Sequence, residues 1–86
     1  MQTPDSQIII DRFFQALYYL KAEGLIRGKQ TFTREHDINR WNLNSLEKDK
    51  SRDIFQVAWL NYLIRDYGVS SRWLLTGQGN ILAKGK

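Results

Sequence analysis

The run from Lys29 to Lys48, KQTFTREHDINRWNLNSLEK, constrains the fold more than any other stretch. Its helical pattern breaks once, at Asp37 and Ile38. Before the break, Lys29 to His36 sets helix-favouring polar residues around Phe32 and the small Thr33. After it, Asn39 is a good N-cap, because its side-chain oxygen can accept a free amide hydrogen of the first turn. From Arg40 the pattern resumes, with Leu43 and Leu46 three apart on one face. The spacing predicts helices over about 29–36 and about 40–49, joined by a tight turn. The face opposite the leucines mixes Arg, Trp, Asn, Ser and Lys, a surface suited to contact outside the protein.

The rest of the chain reads as three more helices. Thr3-Pro4-Asp5 resembles a helix start, with Thr as N-cap, Pro at the first helical position and an acid in the first turn, and Ser6 is an alternative cap. Ile10, Phe13, Phe14, Leu17 and Leu20 recur at helical spacing, and Gly24 can close the helix in the left-handed conformation, giving a first helix over about 4–23. Tyr18 and Tyr19 flank it as amphipathic cover. Asp53 followed by Gln56 reads as a capping box opening a fourth helix over about 54–67. Ile54, Val57, Leu60, Ile64 and Tyr67 form one side of it, and Phe55, Trp59 and Tyr62 a second stripe. A helix apolar nearly all round belongs at the centre of a fold. The second stripe either packs inside the monomer or makes a subunit contact. Ser70 caps a short fifth helix over about 71–75, whose Trp73, Leu74 and Leu75 close the core. Ile81 and Leu82 dock behind it. The expectation is an all-α, compact five-helix domain over residues 1–82, with a mobile tail over 83–86.

Eighty-six residues make one domain with a small core. The chain has no cysteine and one histidine, which excludes disulfides, thiolate metal sites and a His-based metal cluster. His36, four residues after Phe32, falls on the inward face as a packing residue. No basic segment followed by an apolar run opens the chain, and no segment approaches the ~20 apolar residues that cross a bilayer. A soluble, cytoplasmic protein without membrane contact follows as the expectation. The net charge is +4, and residues 27–52 alone carry seven Lys/Arg against four Asp/Glu. Such a local basic excess concentrates polyanions.

An α-helix is ~10–12 Å across and the B-DNA major groove is ~12 Å wide, so a helix held by one face can enter with the other. At about 100° per residue, Trp41, Ser45 and Lys48 lie nearly opposite the leucines, and Arg40, Asn42 and Asn44 lie on the flanks. Arg can donate two parallel hydrogen bonds to guanine, and Asn can pair doubly with adenine. Ser is adaptable, and Trp can cover a thymine methyl or a sugar. Lys48 suits a phosphate. Trp41 either faces outward in this way or folds back to pack. At the start of the second helix, Gly28 as N-cap leaves amide hydrogens facing outward, beside the charge of Lys29.

The run TFTREHDINRWNLNSLE, 31–47, resembles the helix-turn-helix of the phage lambda repressor and Cro class, also called XRE. Phe32, Thr33, Ile38, Asn39, Leu43, Leu46 and Glu47 match that family's pattern. YGVSSRWLLTGQGNI, from Tyr67 to Ile81, is similar to the ending of phage-type repressor N-terminal domains. Asp37 stands where the family usually has Gly, and His36 where it usually has an apolar residue. The resemblance implies a lambda-repressor-like domain with the third helix in the major groove and the second across the backbone. By position, it implies that Lys29, Gln30 and Thr31 meet phosphate and that Arg40, Trp41, Asn42, Asn44 and Ser45 meet base edges or nearby sugar. It further implies double-stranded DNA as partner, homodimers on palindromic half-sites and a role as repressor or Cro-like switch.

No cofactor and no small-molecule substrate are expected. The alternative is a protein-interaction module on the same fold, using Trp41 and the Phe55-Trp59-Tyr62 stripe. An enzyme is not expected: there are no paired carboxylates, Ser/His/Asp order or glycine-rich phosphate loop. Larger members of the family carry a C-terminal oligomerisation or self-cleaving domain, for which this chain has no room. It is either a short complete protein or one domain of a longer one.

Overall fold

The computed structural model describes residues 2–83. It is all-helical: α1 Pro4–Ala22, α2 Lys29–Glu35, α3 Arg40–Lys48, α4 Val57–Tyr67 and α5 Ser71–Thr76. Local capping chemistry sets several of these ends. The Thr3 hydroxyl accepts from the Ser6 amide at 3.1 Å, with Pro4 next in the first turn. The Asn39 side chain accepts from the Asn42 amide at 3.1 Å, and the Ser70 hydroxyl from the Trp73 amide at 3.2 Å. Each such cap is worth about 1 kcal/mol.

The centre of the fold is α1, not α4 as expected. It buries Ile10, Phe13, Phe14, Ala16, Leu17 and Leu20, whereas α4 buries only Trp59, Leu60 and Leu63. Phe13 lies edge-on to Phe14, Phe32 and Phe55 at ring separations of 5.1, 5.5 and 5.4 Å. One side chain thus joins α1, α2 and the loop before α4. Full burial of such a ring stabilises by about 1.5–3 kcal/mol, and edge-to-face contacts add to that.

The start of α4 also differs from expectation. The helix begins at Val57, with Gln56 at the N-cap and no side-chain cap, rather than at Ile54 behind Asp53. A turn organised by Asp49 takes up the preceding residues. Its carboxylate accepts from the Ser51 amide at 3.1 Å and from the Ser51 hydroxyl at 2.6 Å. The Gln2 amide, in turn, donates to the Ser51 carbonyl at 3.1 Å. Ile54 and Phe55 therefore reach the core from a loop. The Phe55-Trp59-Tyr62 stripe packs inside the monomer: Trp59 is 4% exposed and lies edge-on to Phe55. Val57, expected in the core, is 77% exposed.

The last residues return to the body. Val69 and Leu82 form an isolated antiparallel bridge, the Ser70 amide donates to the Ile81 carbonyl at 2.7 Å, and the Ala83 amide donates to the Gly68 carbonyl at 2.8 Å. Ala83 is thus tied down rather than part of a mobile tail, and residues 84–86 lie outside the described residues. Arg12 of α1 donates to the Leu74 carbonyl at 3.3 Å, joining α1 to the end of α5. Among the described residues, no helix is long and apolar enough to cross a membrane.

Candidate nucleic-acid interface

The two-helix unit is built around a residue in a strained conformation. Asp37 has φ +53°, and it alone among the described non-glycine residues has positive φ. Asp tolerates this region better than most side chains, so the turn forms without Gly. The Ile38 amide donates to the Thr33 carbonyl at 2.9 Å and closes α2 there. Phe32 is fully buried against Phe13, Tyr62 and Tyr67. His36 is a packing residue: its ring stacks on Tyr62 at 4.5 Å, with Nδ1 2.8 Å from the Phe32 carbonyl oxygen.

Leu43 and Leu46 are fully buried and anchor α3 by one face. On the other side, Trp41 is 68% exposed, so it faces outward and does not fold back to pack. Arg40 and Lys48 are exposed, and neither has an ion-pair or hydrogen-bond partner among the described residues. Asn42 and Ser45 are half-buried. Asn42, with Asn39, Gln56 and Tyr62, borders a hollow of about 230 Å³ beside the turn.

Two predicted contact residues are placed differently. The Asn44 side-chain oxygen is buried and has no hydrogen-bond partner, so the carboxamide cannot present both its groups to an adenine. Thr31, expected at phosphate, is only 7% exposed, and its hydroxyl accepts from the Arg27 amide at 3.2 Å. The connector folds back on α2 and covers it.

Lys29 is half-buried and ion-paired with Glu47, which also accepts from the Tyr18 hydroxyl at 2.5 Å. This ties α1, the start of α2 and the end of α3 to one carboxylate. Burial alone would push the Glu47 carboxyl up, but hydrogen bonds from Lys29 and Tyr18 outweigh it and hold the group below its ordinary value. Burial likewise opposes the Lys29 charge, and Glu47 restores it and raises the ammonium above its ordinary value. The Tyr18 phenol is raised by its hydrogen bond to Glu47.

Gln30 is exposed, with its carboxamide lying over Gly28 at a point where a Cβ would come within 2.6 Å. Arg34 is exposed one turn later on the same face of α2 and has no partner among the described residues. It is absent from the contact set read from the sequence, although its spacing of four from Gln30 marks it. The outward set therefore comprises Arg40, Trp41 and Lys48 on α3 with Gln30 and Arg34 on α2. Asn42 and Ser45 lie at its margin, and Lys29 is held behind Glu47. Among the described residues, no group of three or more His, Cys, Asp or Glu is placed to hold a metal ion. No family model, no curated protein and no solved structure matches the chain.

Proposed function

We propose that the chain is a sequence-specific DNA-binding regulator of the repressor or Cro type, which inserts α3 into the major groove. The observation that carries this reading is the two-sidedness of α3. Leu43 and Leu46 anchor it, while Arg40, Trp41 and Lys48 project outward without partners among the described residues. An unpaired guanidinium at the start of such a helix suits guanine, and an unpaired ammonium at its end suits phosphate. Asn42 and Ser45 serve neighbouring base edges or sugar, and Gln30 and Arg34 serve the backbone beside the groove. Two copies on a palindromic site, with half-sites about one helical turn apart, complete the arrangement.

The alternative is a protein-interaction module centred on Trp41, favoured by the 68% exposure of a residue type that is common at protein interfaces. Selection from a random duplex pool at low salt, followed by sequencing, separates the two. The DNA reading expects an enriched motif and a steep loss of binding as salt rises. Absence of any retained duplex at low salt refutes it for this domain.

A further inference from the structure

The two ends of the Asn44 carboxamide lie in different surroundings. The residue is half-buried on α3, and its side-chain oxygen is buried without a hydrogen-bond partner. Its amide nitrogen also has no partner among the described residues, but it is open to solvent. Turning the carboxamide over would bury two unpaired N–H donors instead, and orphaned donors are rarer in proteins than under-satisfied carbonyl oxygens. The side chain therefore offers the outside its NH2 group alone. Arg40, Asn44 and Lys48 follow one another at a spacing of four along one edge of α3, with Cβ atoms about 5–6 Å apart. A guanidinium and an ammonium donate and never accept. With the Asn44 oxygen turned in, this edge of α3 is a row of donors.

We propose that Asn44 acts in the major groove as a donor-only group and selects a guanine, about two base steps from the base pair that Arg40 meets. The inference rests on the DNA-binding reading and names a part of the target. An Asn pairs doubly with adenine by donating to N7 and accepting from N6, which needs both ends of the carboxamide. With its oxygen withheld, the Asn44 NH2 group meets a second donor at adenine N6, and cytosine presents a donor only. Thymine offers one acceptor, O4, beside a methyl group, whereas guanine offers two adjacent acceptors, N7 and O6. Guanine is the best match to an NH2 group that can only donate. The distance follows from the helix edge: about 5–6 Å from residue to residue, against ~3.4 Å per base step along a strand, gives about two steps. Lys48, one turn further on, then leaves the bases for a phosphate.

Selection from a random duplex pool, run in parallel with the parent chain, Asn44→Leu and Asn44→Lys, tests the proposal. Leu has about the size of Asn and no polar atom. The parent motif is expected to hold a guanine at a base pair where the Leu variant shows no preference, a loss of about three- to tenfold in discrimination at that pair. Lys, itself a donor only, is expected to keep the guanine and to steepen the logarithmic salt slope by about one unit. The free protein gives a readout without DNA. Because Asn44→Leu removes an oxygen that has no partner, its thermal midpoint is expected at or above that of the parent chain. A fall of about 4 °C or more would show that the oxygen is satisfied, and overturns the proposal. An adenine at the affected base pair, coincident motifs from the parent and Leu chains, or loss of the guanine in the Lys variant also overturns it and leaves the DNA-binding reading standing. Failure of all three chains to retain any duplex at low salt overturns both.

Discussion

His36 and Asp66 join the end of α2 to α4: the imidazole Nε2 lies 2.7 Å from the Asp66 carboxylate, while Nδ1 faces the Phe32 carbonyl oxygen at 2.8 Å. Both ring nitrogens thus face oxygen atoms, and the ring bridges the end of α2 to α4. Arg65 first, and His36 second, hold the Asp66 carboxyl well below the usual carboxylate range. A carboxyl lowered by folding contributes stability above its unfolded value, about 4, and loses it as pH falls through the folded value. Asp66→Asn should therefore lower the thermal midpoint at pH 6, and the difference from the parent chain should shrink as pH falls towards 2. Melting followed by circular dichroism across that range checks this. A constant difference would exclude a stabilising role for the Asp66 charge.

The left-handed Asp37 makes a second test. A β-branched residue is poorly tolerated at φ +53°. Asp37→Val should cost about 1–2 kcal/mol. Asp37→Gly relieves the strain but enlarges the freedom of the unfolded chain, so it should fall between neutral and about 1 kcal/mol stabilising. Urea midpoints at constant slope measure both. The turn argument fails if Gly proves as costly as Val.

Glu47 holds Lys29 and Tyr18 together across three helices. Glu47→Gln removes the charge that restrains the ammonium and weakens both contacts. It should destabilise by about 1 kcal/mol, since the pair is only half-buried. The same change releases Lys29 towards solvent, so affinity for DNA of any sequence should rise and the salt dependence should steepen. Titration of duplex DNA at several salt concentrations reads this directly. Unchanged binding with reduced stability would leave Glu47 a purely architectural residue.

Features set by neighbouring residues were legible in the sequence. Thr3, Asn39 and Ser70 cap their helices as expected, because a cap joins side chain and amide within three residues. The anchoring of α3 by Leu43 and Leu46 was legible for the same reason. Features set by distant contacts were not. The late start of α4 depends on the Asp49 turn and on Gln2 reaching Ser51. The burial of Thr31 depends on the Arg27 connector folding back over α2. The central place of α1 reflects Phe13, whose ring is surrounded by side chains from α1, α2 and the loop before α4. Within the candidate interface, Lys48 stands outward as read from its spacing, Trp41 takes the outward one of its two expected places, Arg40 is exposed from the flank, and Ser45, read as opposite the leucines, is half-buried. Asn44 turns its side-chain oxygen inward, as a residue on the flank of a helix can.

The contrast between Arg40, Lys48 and Lys29 gives the sharpest test of the proposed interface. All three are cations, but only Arg40 and Lys48 lack a partner among the described residues. Lys48→Ala should weaken binding to every duplex alike and flatten the logarithmic salt slope by about one unit. Lys29→Ala should flatten it by less, because Glu47 already neutralises that charge; after Glu47→Gln the two lysines should behave alike. Arg40→Ala should instead cost about 1–3 kcal/mol at one base pair of the selected motif and little on mismatched duplexes. Binding measured on the selected site and on single-base variants distinguishes these patterns. Equal loss on all sequences would remove Arg40 from base recognition and place it with Lys48 at the phosphates.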